Sequence, residues 1–157
     1  MADRKYWLMK SEPDVYSIDD LEEDGRTHWD GVRNYQARNL MRDDMEEGDR
    51  VLFYHSNASP PGVVGVAEVV KEGYPDHTAR DPDSDYYDEK ATEEDPRWYM
   101  VDIAFVRKLS RMVPLGEIKD EPALEDMVLV NRSRLSVQPV EEAEFERVLE
   151  MAEEESE

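Results

Sequence analysis

The sequence contains no cysteine, which removes disulfides, zinc–thiolate sites and a cysteine nucleophile from consideration at once. A disulfide-stapled secreted fold is excluded with them. No run approaches the ~18 apolar residues of a membrane-spanning helix, and Met1 to Pro13 carries charges where a signal peptide needs an apolar stretch of about 7–15 residues. The expectation is a cytoplasmic protein with no membrane partner. Histidine is scarce as well: His28, His55 and His77 stand apart, without the H-x-x-x-H or carboxylate spacing of a metal site. No nucleophile elbow, phosphate-binding loop or dinucleotide fingerprint is present, and Gly62-Val63-Val64-Gly65 lies inside an apolar strand instead of ahead of a helix. Asp81-Pro82-Asp83-Ser84-Asp85 begins like a calcium loop, then places Tyr86 where the turn glycine belongs and Thr92 where the bidentate glutamate belongs. Neither a metal nor a cofactor is expected, and carboxylates are too abundant for any pair of them to signal acid–base catalysis.

Positive charge is in short supply too, with 19 basic residues against 40 acidic ones and a net charge of −21. That is the wrong sign for a protein gripping phosphates by bulk attraction. The acid is concentrated in two blocks, Asp76 to Asp95 and Glu141 to Glu157, which read as a solvated coat. A coat of this kind suits a protein adapted to high salt, where self-repulsion is screened over about 3 Å at 1 M. Outside the blocks, Arg97 to Lys119 is net positive and Met127 to Val140 carries Arg132 and Arg134 without an acid, so a local basic face is expected.

What is present in quantity is β-forming sequence. Tyr6 to Lys10 is a short aromatic and apolar run halted at Pro13, and Arg50 to His55, Val63 to Val70 and Trp98 to Lys108 are rich in Val, Phe, Tyr and Ile. Ser17-Ile18-Asp19-Asp20-Leu21 has the shape of a capping box ahead of one or two helical turns. Ala37, Leu40, Met41 and Met45 form an apolar helical stripe beside a polar one of Tyr35, Arg38, Asn39 and Arg42, and Gly48-Asp49 ends that helix. Gly73 to Pro96 is too polar and turn-rich to be core. Short helices are expected at Pro114 to Ile118 and Ala123 to Met127, and short strands at Leu129 to Val130 and Leu135 to Val137. After Pro139 a helix turns Val140, Phe145, Val148 and Leu149 inward, ahead of an acidic tail from about residue 151. The 157 residues fit one domain, a mixed α+β barrel with short flanking helices.

Polar groups cluster at predicted strand ends: Lys10 and Ser11 after the first, His55, Ser56 and Asn57 after the second, Ser136 and Gln138 near the last. Asn34, Tyr35, Arg38 and Asn39 follow Trp29-Asp30-Gly31. Aromatic walls with convergent amide, hydroxyl and cationic groups suit a planar heterocycle, held by stacking and by hydrogen bonds to its edge. Each of these residues also has a plainer use. Trp7 and Trp98 sit inside strands and read more readily as core, whereas Trp29 is open between core and pocket. Asn34 serves equally as a helix cap, Asn57 with Pro60-Pro61-Gly62 as turn chemistry, and Arg132 and Arg134 as partners of the acidic coat.

The strings YWLMKSEP, WDGVRNYQARNLMR, GDRVLFYHSN, PGVVGVAEVV, YPDHTA, PRWYMVDIAF and SRLSVQP, in this order, resemble the EVE domain as found in the thymocyte nuclear protein family, from Lys5 to about Leu149. The resemblance implies a PUA-like fold, related to YTH and ASCH domains, that binds a modified base in nucleic acid, with DNA placed ahead of RNA. Its signature positions fall here on Trp7, Lys10, Ser11, Trp29, Asn34, Tyr35, Gln36, Asn39, Tyr54, His55, Ser56, Asn57, Pro61, Gly62, Ser136 and Gln138. The expected function is therefore a non-catalytic reader with Trp29 or Trp7 stacking on the base and Lys10, Asn34, Ser56 and Asn57 reading its edge. The rival is an enzyme acting on a small nucleoside-like metabolite, which a carboxylate set against the ring would favour.

Overall fold

The computed structural model describes residues 5–14, 16–29, 35–56, 61–84, 87–92, 94, 97–131 and 137–153. Six strands, β1 (Tyr6–Ser11), β2 (Arg26–His28), β3 (Arg50–His55), β4 (Gly62–Pro75), β5 (Tyr99–Pro114) and β6 (Val137–Val140), form one mixed sheet in the order β2-β5-β4-β3-β1-β6. β1 runs parallel to β3 and antiparallel to β6, and every other pairing is antiparallel. A parallel pair needs a long crossover. Here it is supplied by α1 (Ile18–Asp24), β2, α2 (Tyr35–Asn39) and a π-helical turn at Leu40–Asp44.

Both faces of the sheet are covered, which is why β1 reads as a continuous apolar run and not as an alternating one. On one face Trp7, Met9, Val51, Phe53, Ala67, Val69, Val101 and Ile103 pack with Ile18 and Leu21 of α1 and with Ala37, Met41 and Met45. On the other, Leu8, Leu52, Tyr54, Val63, Val66 and Val113 pack beneath α3 (Leu115–Asp120), a 3-10 turn at Pro122–Leu124, α4 (Val128–Asn131) and α5 (Glu142–Glu153). The first face is concave. Three ladder steps of about 4.8 Å would set β2 and β3 roughly 14 Å apart on a flat sheet, yet the ring of Trp29, just past β2, lies 5.6 Å from that of Phe53 on β3. Among the described residues β2 and β6 do not pair, so the expected barrel is a curled, open α+β sheet with these two short strands as its edges.

Local chemistry explains the seating of the first helix. Ser17 and Asp20 exchange side-chain and backbone hydrogen bonds of 3.1 and 2.9 Å at its start, the capping box expected from the sequence. Below it Gly65 leaves room for Ile18: a Cβ there would stand 2.4 Å from Ile18 Cδ1 and 2.9 Å from the Arg107 carbonyl oxygen. The crossover helix changes pitch midway, where the Met45 N–H reaches the Leu40 carbonyl at 2.9 Å, keeping Ala37, Met41 and Met45 all inward.

Several elements depart from the expectations above. β4 and β5 run on to Pro75 and Pro114 because their registers shift repeatedly, bulges that let a long twisted hairpin bend without breaking. Val128 to Asn131 is helical, not a strand, with the Asn131 side chain donating to the Glu125 and Met127 carbonyls at 3.1 Å each. Val140 ends β6 instead of opening the last helix. Met151 and Ala152, placed in an acidic tail by their surroundings in sequence, are buried on α5 against the second core. Trp98 is core, but core of its own: it packs with Ala79 and Ala91 of the acidic segment and donates its indole N–H to Asp88 at 2.7 Å.

Candidate functional site

The register of β1 against β3 decides which of the expected groups can meet. Lys10 pairs with Tyr54 and Ser11 with His55, and the Ser56 N–H donates to the Ser11 carbonyl at 3.0 Å, so all five stand at the carboxyl ends of the two parallel strands. Gly62, paired with His55, and Val137, paired with Met9, stand near the same end. Side chains alternate across a strand. The candidates therefore divide between the faces.

On the concave face Trp29, Phe53 and His55 form an aromatic run. Trp29 meets Phe53 edge-on at 5.6 Å and 89°, and Phe53 meets His55 at 5.8 Å and 79°. The backbone N–H of Ile18 donates to His55 Nε2 at 3.1 Å, and the Ser11 hydroxyl donates to the Tyr16 carbonyl at 2.6 Å. The first bond pins the start of α1 to β3, and the second ties Tyr16, just ahead of it, to β1. Burial pushes the His55 imidazole below its ordinary value; the Asp19 charge works against this and Lys108 works with it.

On the opposite face the Lys10 ammonium lies 5.6 Å from the centre of the Tyr54 ring. Burial lowers the lysine and raises the phenol. Gln138, directly across from Leu8, shares this face and is fully buried. The sequence placed Lys10, Ser11, His55 and Gln138 in one group; the pleat sets Lys10, Tyr54 and Gln138 behind the sheet and Ser11, His55 and Trp29 in front of it.

Other candidates have structural tasks. Trp7 is buried and its indole N–H donates to Asp49 at 2.9 Å. Pro61 accepts the Leu115 N–H at 2.9 Å, and a Cβ on Gly62 would lie 2.5 Å from the Val113 carbonyl oxygen, so this pair holds β4 tight to β5. Gln36 and Asn39 on α2 are exposed, and Asn39 accepts from the Arg38 guanidinium at 2.7 and 3.1 Å. Tyr35 opens α2. Asn34, Asn57 and Ser136, with Arg132 and Arg134, lie outside the described residues. The basic stretch from Arg97 to Lys119 is largely tied up, with Arg107 on Glu153 at 3.3 Å, Lys108 on Asp19 at 2.7 Å and Arg111 on Glu117 at 2.8 Å.

Two features lay outside the sequence reading. Phe53 bridges Trp29 and His55, and its shared parity with His55 in Arg50 to His55 was the available signal. At the edge near β2, the Asp102 carboxylate accepts from Arg26 at 2.9 Å and from the Tyr74 hydroxyl, and Lys71 lies 3.9 Å over the Tyr74 ring. Burial works to raise the Asp102 carboxyl, but these two hydrogen bonds outweigh it and hold it below the ordinary carboxylate range. A cavity of about 240 Å³ bounded by Arg111, Glu117, Asp120, Glu121, Arg147 and Met151 contains none of the expected site residues.

A curled sheet carrying aromatic, imidazole and hydroxyl groups at one end, with no cluster of three metal-ligating side chains among the described residues, has the make-up of a binding module for a flat polar ligand. The chain belongs to the EVE domain family, whose model matches residues 5–151. Thymocyte nuclear protein 1 of Homo sapiens is 44% identical over 169 residues, covering 96% of this chain and 75% of that protein. Two solved structures are similar throughout. A hypothetical protein from Leishmania major is 52% identical with a TM-score of 0.92, covering 96% of each chain. Human thymocyte nuclear protein 1 in complex with DNA containing 5-methylcytosine is 44% identical with a TM-score of 0.92, covering 97% of this chain and 99% of that one.

Proposed function

We propose that this chain is a non-catalytic reader of nucleic acid, DNA ahead of RNA, that takes one modified base into the concave end of its sheet. The observation that carries the reading is the likeness, over nearly the whole chain, to a human protein whose structure holds DNA containing 5-methylcytosine. The geometry is compatible with that use. Of the three rings His55 is half-exposed, Trp29 is 9% exposed at the rim and Phe53 is buried beneath them, and base-on-aromatic stacking contributes about 1–3 kcal/mol without any phosphate contact. Stacking is assigned to Trp29 because Trp7 is the more deeply buried of the two, its indole N–H held inside by Asp49. Asn34, Ser56 and Asn57 are proposed to read the base from the strand ends and the segments that follow them, with Lys10 reaching round the end of β1 from the opposite face. Asp19, the acid that acts on His55, is exposed and held by Lys108, which disfavours the rival reading of an enzyme with a carboxylate set against its substrate. Cytoplasmic residence and adaptation to high salt belong to the same proposal.

Titration of strands with and without 5-methylcytosine at several KCl concentrations tests it. A protein neutralising Z phosphates loses affinity with a log–log slope near −0.9Z on duplex DNA. With −21 net charge and six of its described cations in ion pairs with carboxylates, this protein is expected to prefer the modified strand and to show a shallow slope from ~0.1 to ~1 M KCl. Equal affinity for both strands with a shared steep slope would mean backbone binding and overturn the reader.

A further inference from the structure

We propose that His55 reads the acceptor edge of the bound base through an Nδ1–H donor whose tautomer the fold has already chosen. The inference deepens the reader assignment and rests on it. A backbone amide only donates, so the 3.1 Å bond from the Ile18 N–H requires a lone pair on Nε2. The ring proton then sits on Nδ1. Phe53 packs against the ring, and the neighbouring Ser11 hydroxyl makes no hydrogen bond to it, donating to the Tyr16 carbonyl. Among the described residues the ring has no hydrogen-bond partner besides Ile18, and it is only half-buried. One donor is left for a ligand.

Charging the ring would force a second proton onto Nε2, directly against the Ile18 N–H. Burial opposes it further, and the two charges that act on the ring, Asp19 of α1 and Lys108 of β5, pair with each other at 2.7 Å and oppose one another's effect. A neutral donor beside aromatic rings suits a carbonyl oxygen or ring nitrogen, whereas a phosphate would draw out the imidazolium. Cytosine and 5-methylcytosine present such acceptors at O2 and N3. Where thymine has a protonated N3, half of that edge is lost.

Long-range ¹H–¹⁵N NMR on the full chain gives the first test. The Nδ1–H tautomer is expected at neutral pH, and addition of an oligonucleotide containing 5-methylcytosine should move the Nδ1 resonance much more than Nε2. An Nε2–H tautomer, an imidazolium, or an Nδ1 signal indifferent to the oligonucleotide overturns the proposal. His55→Gln supplies the second test, since its amide oxygen can still accept from Ile18 while the donor at the Nδ1 position is gone. Loss of one hydrogen bond should weaken binding roughly three- to tenfold with the fold intact, and His55→Asn, which keeps a donor near Nδ1, should bind more tightly than His55→Gln. Wild-type affinity in His55→Gln would remove the donor role while leaving the reader standing. A wild-type protein indifferent to the modified base would instead remove the reader itself.

Discussion

Three donors converge on the Asp49 carboxylate: the Lys5 N–H at 3.1 Å on Oδ1, and the Trp7 indole and the Glu46 N–H, both at 2.9 Å, on Oδ2. The residue is 2% exposed, so water does not replace these bonds if the side chain is cut back. Asp49→Ala is expected to cost on the order of 3 kcal/mol, because a buried donor left unmade costs about 1–3 kcal/mol. Asp49→Asn, which keeps one oxygen for the Trp7 and Glu46 pair, should cost clearly less. Urea denaturation at constant slope measures both, and equal losses would show that packing of Trp7, not this hub, is what the carboxylate supports. His55 adds a pH dependence at the same scale. Its folded value lies below the ordinary 6.5, so its neutral form contributes stability that is complete above the unfolded value and is lost as pH falls toward the folded one. Wild type should therefore lose stability relative to His55→Gln as pH is lowered from about 7; parallel profiles would mean that the ring is not held neutral. The kinds of residue at this site were legible in the sequence, since Lys10, Ser11, His55 and Ser56 do stand at the ends of β1 and β3. Their sides were also encoded. Counting by twos along Trp7 to Ser11 and Val51 to His55 separates Lys10 and Tyr54 from Ser11 and His55, but the parallel register that makes the count useful depends on a crossover of nearly forty residues.

Elements were readable where local chemistry sets them and obscure where distant contacts do. Ser17 and Asp20 cap α1 as their spacing requires, and the Ala37, Met41, Met45 stripe survives a change of helical pitch. By contrast, Gly73 to Pro96 reads as pure solvent-facing loop, because its small core consists of two alanines and a tryptophan just ahead of β5, which no local periodicity announces. Trp98→Ala should consequently loosen that segment far more than the sheet. Hydrogen exchange is expected to rise from Asp76 to Lys90 while the amides of β3 stay protected, and a uniform loss of protection across the sheet would show that Trp98 belongs to the main core. Gly65→Ala probes the seat of α1 on β4. The added methyl meets Ile18 and the Arg107 carbonyl, and since backbone cannot withdraw as a flexible side chain does, a loss of about 1–3 kcal/mol is expected. Ile18→Val in the Gly65→Ala background should recover part of it; strict additivity of the two losses would mean that α1 does not rest on Gly65.

For the whole molecule the deciding quantity is the balance between paired and unpaired charge. Six described cations, Arg26, Arg42, Arg107, Lys108, Arg111 and Arg147, are already in ion pairs with carboxylates. Salt weakens such pairs, but exposed ones contribute only about 0–1 kcal/mol each, and several of these are half exposed. The same salt relieves the repulsion among the carboxylates left over, and with 40 acidic residues against 19 basic ones that excess is large. Relief should win. The Tm is expected to rise substantially between ~0.1 and ~2 M KCl, most steeply at the low end, where the screening length shrinks from about 10 Å toward 3 Å. Neutralising part of the coat separates this from the general strengthening of burial that some salts produce. A variant with Glu141, Glu142 and Glu146 changed to Gln, which leaves the buried Glu144 and the Arg147–Glu150 ion pair untouched, should be more stable than wild type at ~0.1 M KCl and gain less from added salt. Differential scanning calorimetry across that range reads both numbers, and equal salt increments for the two proteins would show that carboxylate repulsion is not what limits the fold at low salt.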